Sequence, residues 1–85
     1  MKLPVIRSVA SNRSITEKDI DTTINILEVI GMSRGISGNE LEVIGELISN
    51  LEGAKIVIDQ NRHYGIPLRE SLNTFMQRVI KSIKY

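Results

Sequence analysis

The fold is decided by residues 37–67, which read SGNELEVIGELISNLEGAKIVIDQNRHYGIP. A Ser-x-x-Glu pattern begins at Ser37 and is typical of a helix start, because each side chain can bond the other residue's backbone N–H. Asn39 offers a second starting point. Gly65 suits the end of a helix, since glycine adopts the left-handed conformation without strain, and Pro67 suits the first turn of the next helix. The stretch therefore predicts a long middle helix over about residues 38–64.

Apolar residues of this middle helix recur at helical spacing, and only Lys55 interrupts their stripe. The β-branched run 56–58 would also suit a strand, but the continuous spacing before it favours a helix. Gly45 and Gly53 each destabilise a helix by about 1 kcal/mol relative to alanine, so we expect them where another backbone comes close. A helix of about 25 residues is about 37 Å long. Part of its apolar surface is therefore expected to project past its neighbours.

Two further helices are predicted on either side of the middle one. The first covers about residues 15–31, and its start fits either a Ser-x-x-Glu pattern at Ser14 or a Thr-x-x-Asp pattern at Thr16. The last covers about residues 67–84 and has basic residues at its C-terminal end, where the helix dipole favours them. The apolar stripes are Ile20, Ile24, Leu27 and Ile30 in the first helix and Leu68, Leu72, Phe75, Met76, Val79, Ile80 and Ile83 in the last.

Residues 1–13 precede these helices. Because a proline pushes the residue before it towards extended geometry, Pro4 favours an extended arm or a short edge strand lying on the helices. The short loops favour antiparallel packing of consecutive helices. The sequence thus predicts one all-α domain over residues 1–85, a three-helix antiparallel bundle with a long central helix and an extended N-terminal arm.

The composition excludes several classes of protein. With 41% hydrophobic and 25% charged residues, the chain has the composition of a globular domain rather than a disordered one. It has no cysteine, which excludes thiol chemistry and Cys-ligated metal sites. No apolar stretch approaches the ~18 residues of a membrane span, and the N-terminus lacks the apolar core of a secretion signal. We therefore expect a cytoplasmic protein without membrane contact.

Basic ends flank an acidic middle. Residues 1–14 carry three basic residues and no acid, and residues 66–85 carry four basic residues and one acid. The two predicted helices between them are acidic, so that the formal net charge is only +1. This pattern fits solvated helix faces and dipole complementarity. It also fits basic ends that meet acidic helices across a subunit interface.

Few residues offer catalytic or metal-binding chemistry. His63 is the only histidine, and Asp59 precedes it by one helical turn, which lets a carboxylate orient an imidazole. Without a nucleophile pattern nearby, a favourable cation at a helix C-terminus explains His63 better. The glycine-rich segment 31–38 lacks the Gly-Lys-Ser/Thr ending of a phosphate-binding loop, and the acidic residues 40–46 fit a solvated face. We predict no catalytic, cofactor-binding or metal site, and no enzymatic activity.

A nucleic-acid-binding regulator is the alternative function. A recognition helix needs exposed basic or amide side chains, and the last helix offers some. The near-neutral total charge, the acidic middle helix and the lack of aromatic stacking platforms argue against it. The candidate contacts are Arg69, Arg78, Lys81 and Lys84.

Self-association is the leading expectation. Only one Phe, two Tyr and no Trp are present, so a small aliphatic core would gain area from a subunit interface. The long middle helix and its glycines point to the same conclusion. We expect a homodimer, or binding to a further protein, through the middle and last helices. The predicted interface residues are Gly45, Ile48, Phe75, Met76, Val79 and Ile83.

Three stretches resemble one known family. They are KLPVI at residues 2–6, EVIGELISN at residues 42–50 and LNTFMQRV at residues 72–79. The family consists of small bacterial helical proteins known only as a domain of unknown function. The resemblance covers nearly the whole chain and implies a single-domain helical protein. It brings no catalytic residues, because the family has no assigned activity.

Overall fold

The computed structural model describes residues 2–83, and the side chains of residues 2–78. Its described residues form four helices, which are α1 (Leu3–Ser11), α2 (Glu17–Gly31), α3 (Gly38–His63) and α4 (Leu68–Ile83). The all-α class is therefore confirmed. The three-helix count is wrong, because the N-terminal segment forms a helix of its own.

Helix α1 replaces the predicted extended arm. Pro4 lies in its first turn, where a missing backbone N–H removes no helical hydrogen bond. Lys2, which precedes the helix, is extended (φ −120°, ψ 113°), as is Asn12, which follows it (φ −81°, ψ 101°), whereas Leu3, directly before the proline, is helical. Ile6 and Ala10 lie one turn apart and are both buried. The prediction was wrong because a proline in the first turn is compatible with a helix, and the apolar spacing after it is helical.

Reciprocal capping fixes the starts of α2 and α3. At α2 the Thr16 hydroxyl accepts from the backbone of Asp19, whose carboxylate accepts from the Thr16 N–H, so the second of the two predicted starts is confirmed. At α3 the same reciprocal pair joins Ser37 and Glu40, as predicted. Gly65 has φ 68° and follows the last turn of α3, which confirms the predicted stop.

Helix α3 is the central element and packs against each of the other three helices, while α1 also packs against α4. Helices α2 and α3 are antiparallel, since the first residue of α2, Glu17, contacts the last residue of α3, His63. The core lies around the C-terminal half of α3. Its buried apolar members are Ile6, Ala10, Ile20, Ala54, Val57, Ile58, Leu72 and Phe75.

Gly53 lies where three helices meet. A Cβ atom placed on it would be 2.8 Å from Cζ of Phe75 and 2.9 Å from Cδ1 of Ile6. Contacts this short do not occur between real carbon atoms, so only glycine lets α1 and α4 approach α3 at this point. A close approach is thus found at Gly53, but side chains make it and not the backbone that was predicted. At Gly45 no described residue, apart from the backbone of its own helix, has an atom within 4 Å of the Cβ position, so the prediction is not met there within one copy.

Candidate interaction surface

One end of the molecule leaves large aliphatic side chains in solvent. Buried residues of α3 begin only at Asn50, so the first three turns of this helix extend beyond the core. The last turns of α2 run alongside them. The exposed residues here, from 40% to 80% accessible, form what we call the tip surface: Ile26, Val29, Ile30, Met32, Leu41, Val43 and Leu47.

Helix α2 is apolar on two faces at this end. Ile24 and Leu27 are partly buried on the side that meets α3. Val29 and Ile30 lie three and four residues after Ile26, and the three side chains form a second ridge, 62%, 40% and 54% exposed respectively. Ile30 thus does not belong to the core, although its spacing assigned it to the same apolar stripe as Leu27. A helix that is apolar on all sides is normally buried on all sides.

An open groove runs between α2 and α3 next to this ridge. Its volume is about 770 Å³. At its floor the helices are close, since a Cβ on Gly31 would lie 3.3 Å from Cδ1 of Leu41. Its walls are mainly aliphatic and include Val29, Met32, Leu41, Ile44, Gly45 and Ile48. The groove has the apolar lining of a surface that binds another apolar element.

The structure brings together two of the predicted interface residues, Gly45 and Ile48, which both line the groove. Phe75 lies instead in the core and is 6% exposed, and Met76 is partly buried on α4. The side chains of Val79 and Ile83 lie outside the described residues. The ridge on α2 was missed as a separate surface. Its signal in the sequence was the apolar residues Ile26 and Val29, which widen the stripe beyond one helix face.

The predicted nucleic-acid contacts do not share one described surface. Arg69 lies with Arg7 along a groove between α1 and α4. Arg78 lies beside Glu17 and Asp59 around a different depression. The side chains of Lys81 and Lys84 lie outside the described residues.

His63 contacts a different carboxylate from the one its spacing indicated. Its Nε2 atom lies 2.6 Å from Oε1 of Glu17 on α2. Ligating atoms of Glu17, Asp59 and His63 all lie within 4.8 Å of one another, so these three residues could hold a divalent ion. The His63 side chain is 61% exposed. Within the cluster, the contact between Glu17 and His63 links the start of α2 to the end of α3.

Hydrogen bonds shift the pKa values of three charged side chains, two at helix starts and one between α2 and α3. The backbone N–H of Thr16 lowers the pKa of Asp19, and that of Ser37 lowers the pKa of Glu40, because both hydrogen bonds favour the carboxylate form. The side chain of Asp21 raises the pKa of Lys55, to which it is bonded at 2.7 Å. The hydrogen bonds behind these shifts cap the starts of α2 and α3 and join α2 to α3.

The chain matches a family model over residues 1–84, and it therefore belongs to the Family of unknown function (DUF6952). The resemblance seen in the sequence is thus confirmed. No curated protein and no solved structure matches the chain. None of the described helices combines the length and the apolar character needed to cross a bilayer.

Proposed function

We propose that this member of the family is a non-enzymatic helical interaction module that self-associates as a homodimer through the tip surface. One observation supports this above all others. Large aliphatic side chains are exposed at one end of the molecule, and they include the ridge on α2. Contiguous apolar patches of this kind mark interaction sites in soluble proteins.

The energetics of burying the tip surface are of the right order for a dimer. Full burial of one aliphatic side chain contributes about 1.5–3 kcal/mol, so seven that are about half exposed would contribute roughly 5–10 kcal/mol per copy. In an isologous contact both copies contribute. The free energy of association of a micromolar dimer is about 8 kcal/mol in magnitude. This is the part of the burial energy that remains after the cost of lost translational and rotational freedom has been subtracted.

A second copy is the occupant that the surface favours. The ridge on α2 and the groove beside it adjoin, so a two-fold axis near Val29 can place each ridge in the other copy's groove. The result is a bundle of two α2 and two α3 helices. The size of the chain argues the same way, since 85 residues build only a small core and gain area from a partner.

The charge around the tip surface gives self-association a characteristic salt dependence. Residues 25–48 carry four acids, Glu28, Glu40, Glu42 and Glu46, against one base, Arg34, and Lys2 adds a second base, with its Nζ atom 3.9 Å from Oε1 of Glu46, so that the tip is still acidic. Bringing two such ends together places like charges near each other, and salt screens their repulsion. We therefore expect self-association to strengthen as salt is raised.

Sedimentation equilibrium of the wild type and of two matched variants tests the proposal. Ile26→Gln changes the ridge, and Ile56→Gln makes the same change at an exposed isoleucine of α3 away from the tip (54% and 41% exposed). The wild type should approach twice the 9.5 kDa of one chain at roughly 100 µM. Ile26→Gln should weaken the dimer about ten-fold or more, because the change occurs twice in the interface.

Two results would contradict self-association through this surface. One is a wild type that sediments with the mass of a single chain at every concentration. The other is an equal effect of Ile26→Gln and Ile56→Gln, since the second site lies outside the tip surface.

A nucleic-acid-binding regulator is a second proposal, supported by one arrangement. Because α1 packs against α4, the basic N-terminal and C-terminal segments lie side by side, and Arg7 and Arg69 line the same groove. This function requires binding that weakens as salt rises, which is the opposite of the salt response expected for the dimer. A titration of labelled DNA and RNA at low salt decides it, and the absence of any complex would remove it.

A further inference from the structure

We infer that Gly45 is the point at which α2 of a second copy crosses α3. This inference rests on the proposed self-association and specifies its geometry. The ridge formed by Ile26, Val29 and Ile30 of one copy would pack over the glycine of the other.

Nothing within one copy explains a glycine at position 45. Gly35 and Gly65 have positive φ values, which favour glycine, but Gly45 is not among the residues with positive φ. Gly53 admits neighbouring side chains that a Cβ would clash with, whereas at Gly45 no described residue, apart from the backbone of its own helix, has an atom within 4 Å of the Cβ position. A glycine inside a helix is destabilising relative to alanine. An intermolecular contact would explain why the chain has one here.

The surroundings of Gly45 have the shape that a crossing helix requires. Leu41 and Ile48 lie one turn before it and one turn after it, and all three residues line the groove. The absence of a side chain at Gly45 leaves a gap between these two walls. In ridges-into-grooves packing, a large side chain of the partner helix fills such a gap and brings the helix axes close.

The ridge on α2 supplies side chains of the required kind. Ile26, Val29 and Ile30 are β-branched and exposed, and together they line an apolar depression on α2. Val29 also lines the groove. Each copy therefore presents a ridge and a gap next to each other, which is the self-complementary arrangement of an isologous dimer.

Alanine and leucine at position 45 separate the stability of one copy from the association of two. Gly45→Ala should raise the thermal midpoint of the dilute protein by about 4 °C or more, because the helix gains and nothing clashes. The same variant should weaken self-association about ten-fold, since two added methyl groups occupy the crossing point. Gly45→Leu should weaken it more than about a hundred-fold by the same mechanism.

Two glycines of the same helix are matched controls. Gly38 also has no atom within 4 Å of its Cβ position and does not line the groove, so Gly38→Ala should leave the dimer constant unchanged. Gly53→Ala should lower the thermal midpoint, because its Cβ meets Phe75 and Ile6. Circular dichroism of every variant at the concentration used for sedimentation shows that the comparison is made between folded proteins.

The outcomes distinguish this inference from the proposal on which it rests. A monomeric wild type overturns both. A dimeric wild type whose constant is unchanged by Gly45→Ala and by Gly45→Leu overturns the crossing point alone, and leaves self-association through another part of the tip surface. Weaker association of Gly45→Ala together with a raised thermal midpoint supports the inference, since no loss of folding can produce that combination.

Discussion

The two halves of α3 share one apolar stripe but have opposite surroundings. In the C-terminal half, Ile58 is fully buried by its neighbours. In the N-terminal half, Leu41 is 52% exposed although it belongs to the same apolar stripe. The difference arises because the buried residues of α1, α2 and α4 gather around one half only. A periodic stripe therefore indicates which face of a helix is apolar, but not whether the same chain covers it.

Alanine substitutions of one core isoleucine and one tip isoleucine should show this difference in surroundings most clearly. Ile58→Ala removes a buried side chain and should lower the free energy of unfolding by about 2–5 kcal/mol. Ile26→Ala removes a side chain that is 54% exposed, and should lower it by less than about 1 kcal/mol in the dilute protein. Urea unfolding at low micromolar concentration measures both.

At high concentration the two variants should differ in a second way. The stability of Ile58→Ala should rise with protein concentration as that of the wild type does, because its tip surface is intact. The stability of Ile26→Ala should depend less on concentration. Equal losses for the two variants in the dilute protein would show that the tip is already covered within one copy.

Acid should affect the tip through the cap of α3, and this is the smaller effect. The pKa of Glu40 is lowered in the folded protein from its ordinary value of 4.5. The unfolded state therefore binds more protons, so that the stabilisation is present above about pH 4.5 and is lost as the pH falls through the lowered pKa. Glu40→Gln should show a smaller loss of stability than the wild type between about pH 5 and pH 3.

Glu42→Gln is the control for this titration, because Glu42 lies in the same helical turn but outside the capping pair. Its acid profile should follow that of the wild type. Asp19, whose pKa is lowered in the same way at the start of α2, remains in both variants and accounts for the acid loss that they share. Identical profiles for Glu40→Gln and Glu42→Gln would show that the cap of α3 does not govern the acid response.

Local chemistry made much of the fold predictable from the sequence. The caps at Ser37 and Thr16 and the stop at Gly65 depend on residues within one turn, so short patterns suffice to find them. The start of the chain was harder, because Pro4 is compatible both with an extended segment and with a first helical turn. Only the burial of Ile6 and Ala10 against α3 decides between these.

The candidate surface was only partly predictable, for a physical reason. Gly45 and Ile48 were predicted to be interface residues, and both line the groove. Phe75 was assigned to the same interface, but it fills the space next to Gly53 in the core. Whether an apolar residue faces its own chain or a partner depends on where distant helices end, and periodicity within one helix carries no information about that.

Backbone amide shifts measured by NMR over a dilution series, from millimolar to low micromolar concentration, test the central claim most directly. If a second copy docks on the tip surface, the shifts should change over residues 25–48 and stay constant around the core, for example at Ala10, Val57 and Leu72. Shifts that are independent of concentration everywhere, or that change around the core and not at the tip, would contradict it.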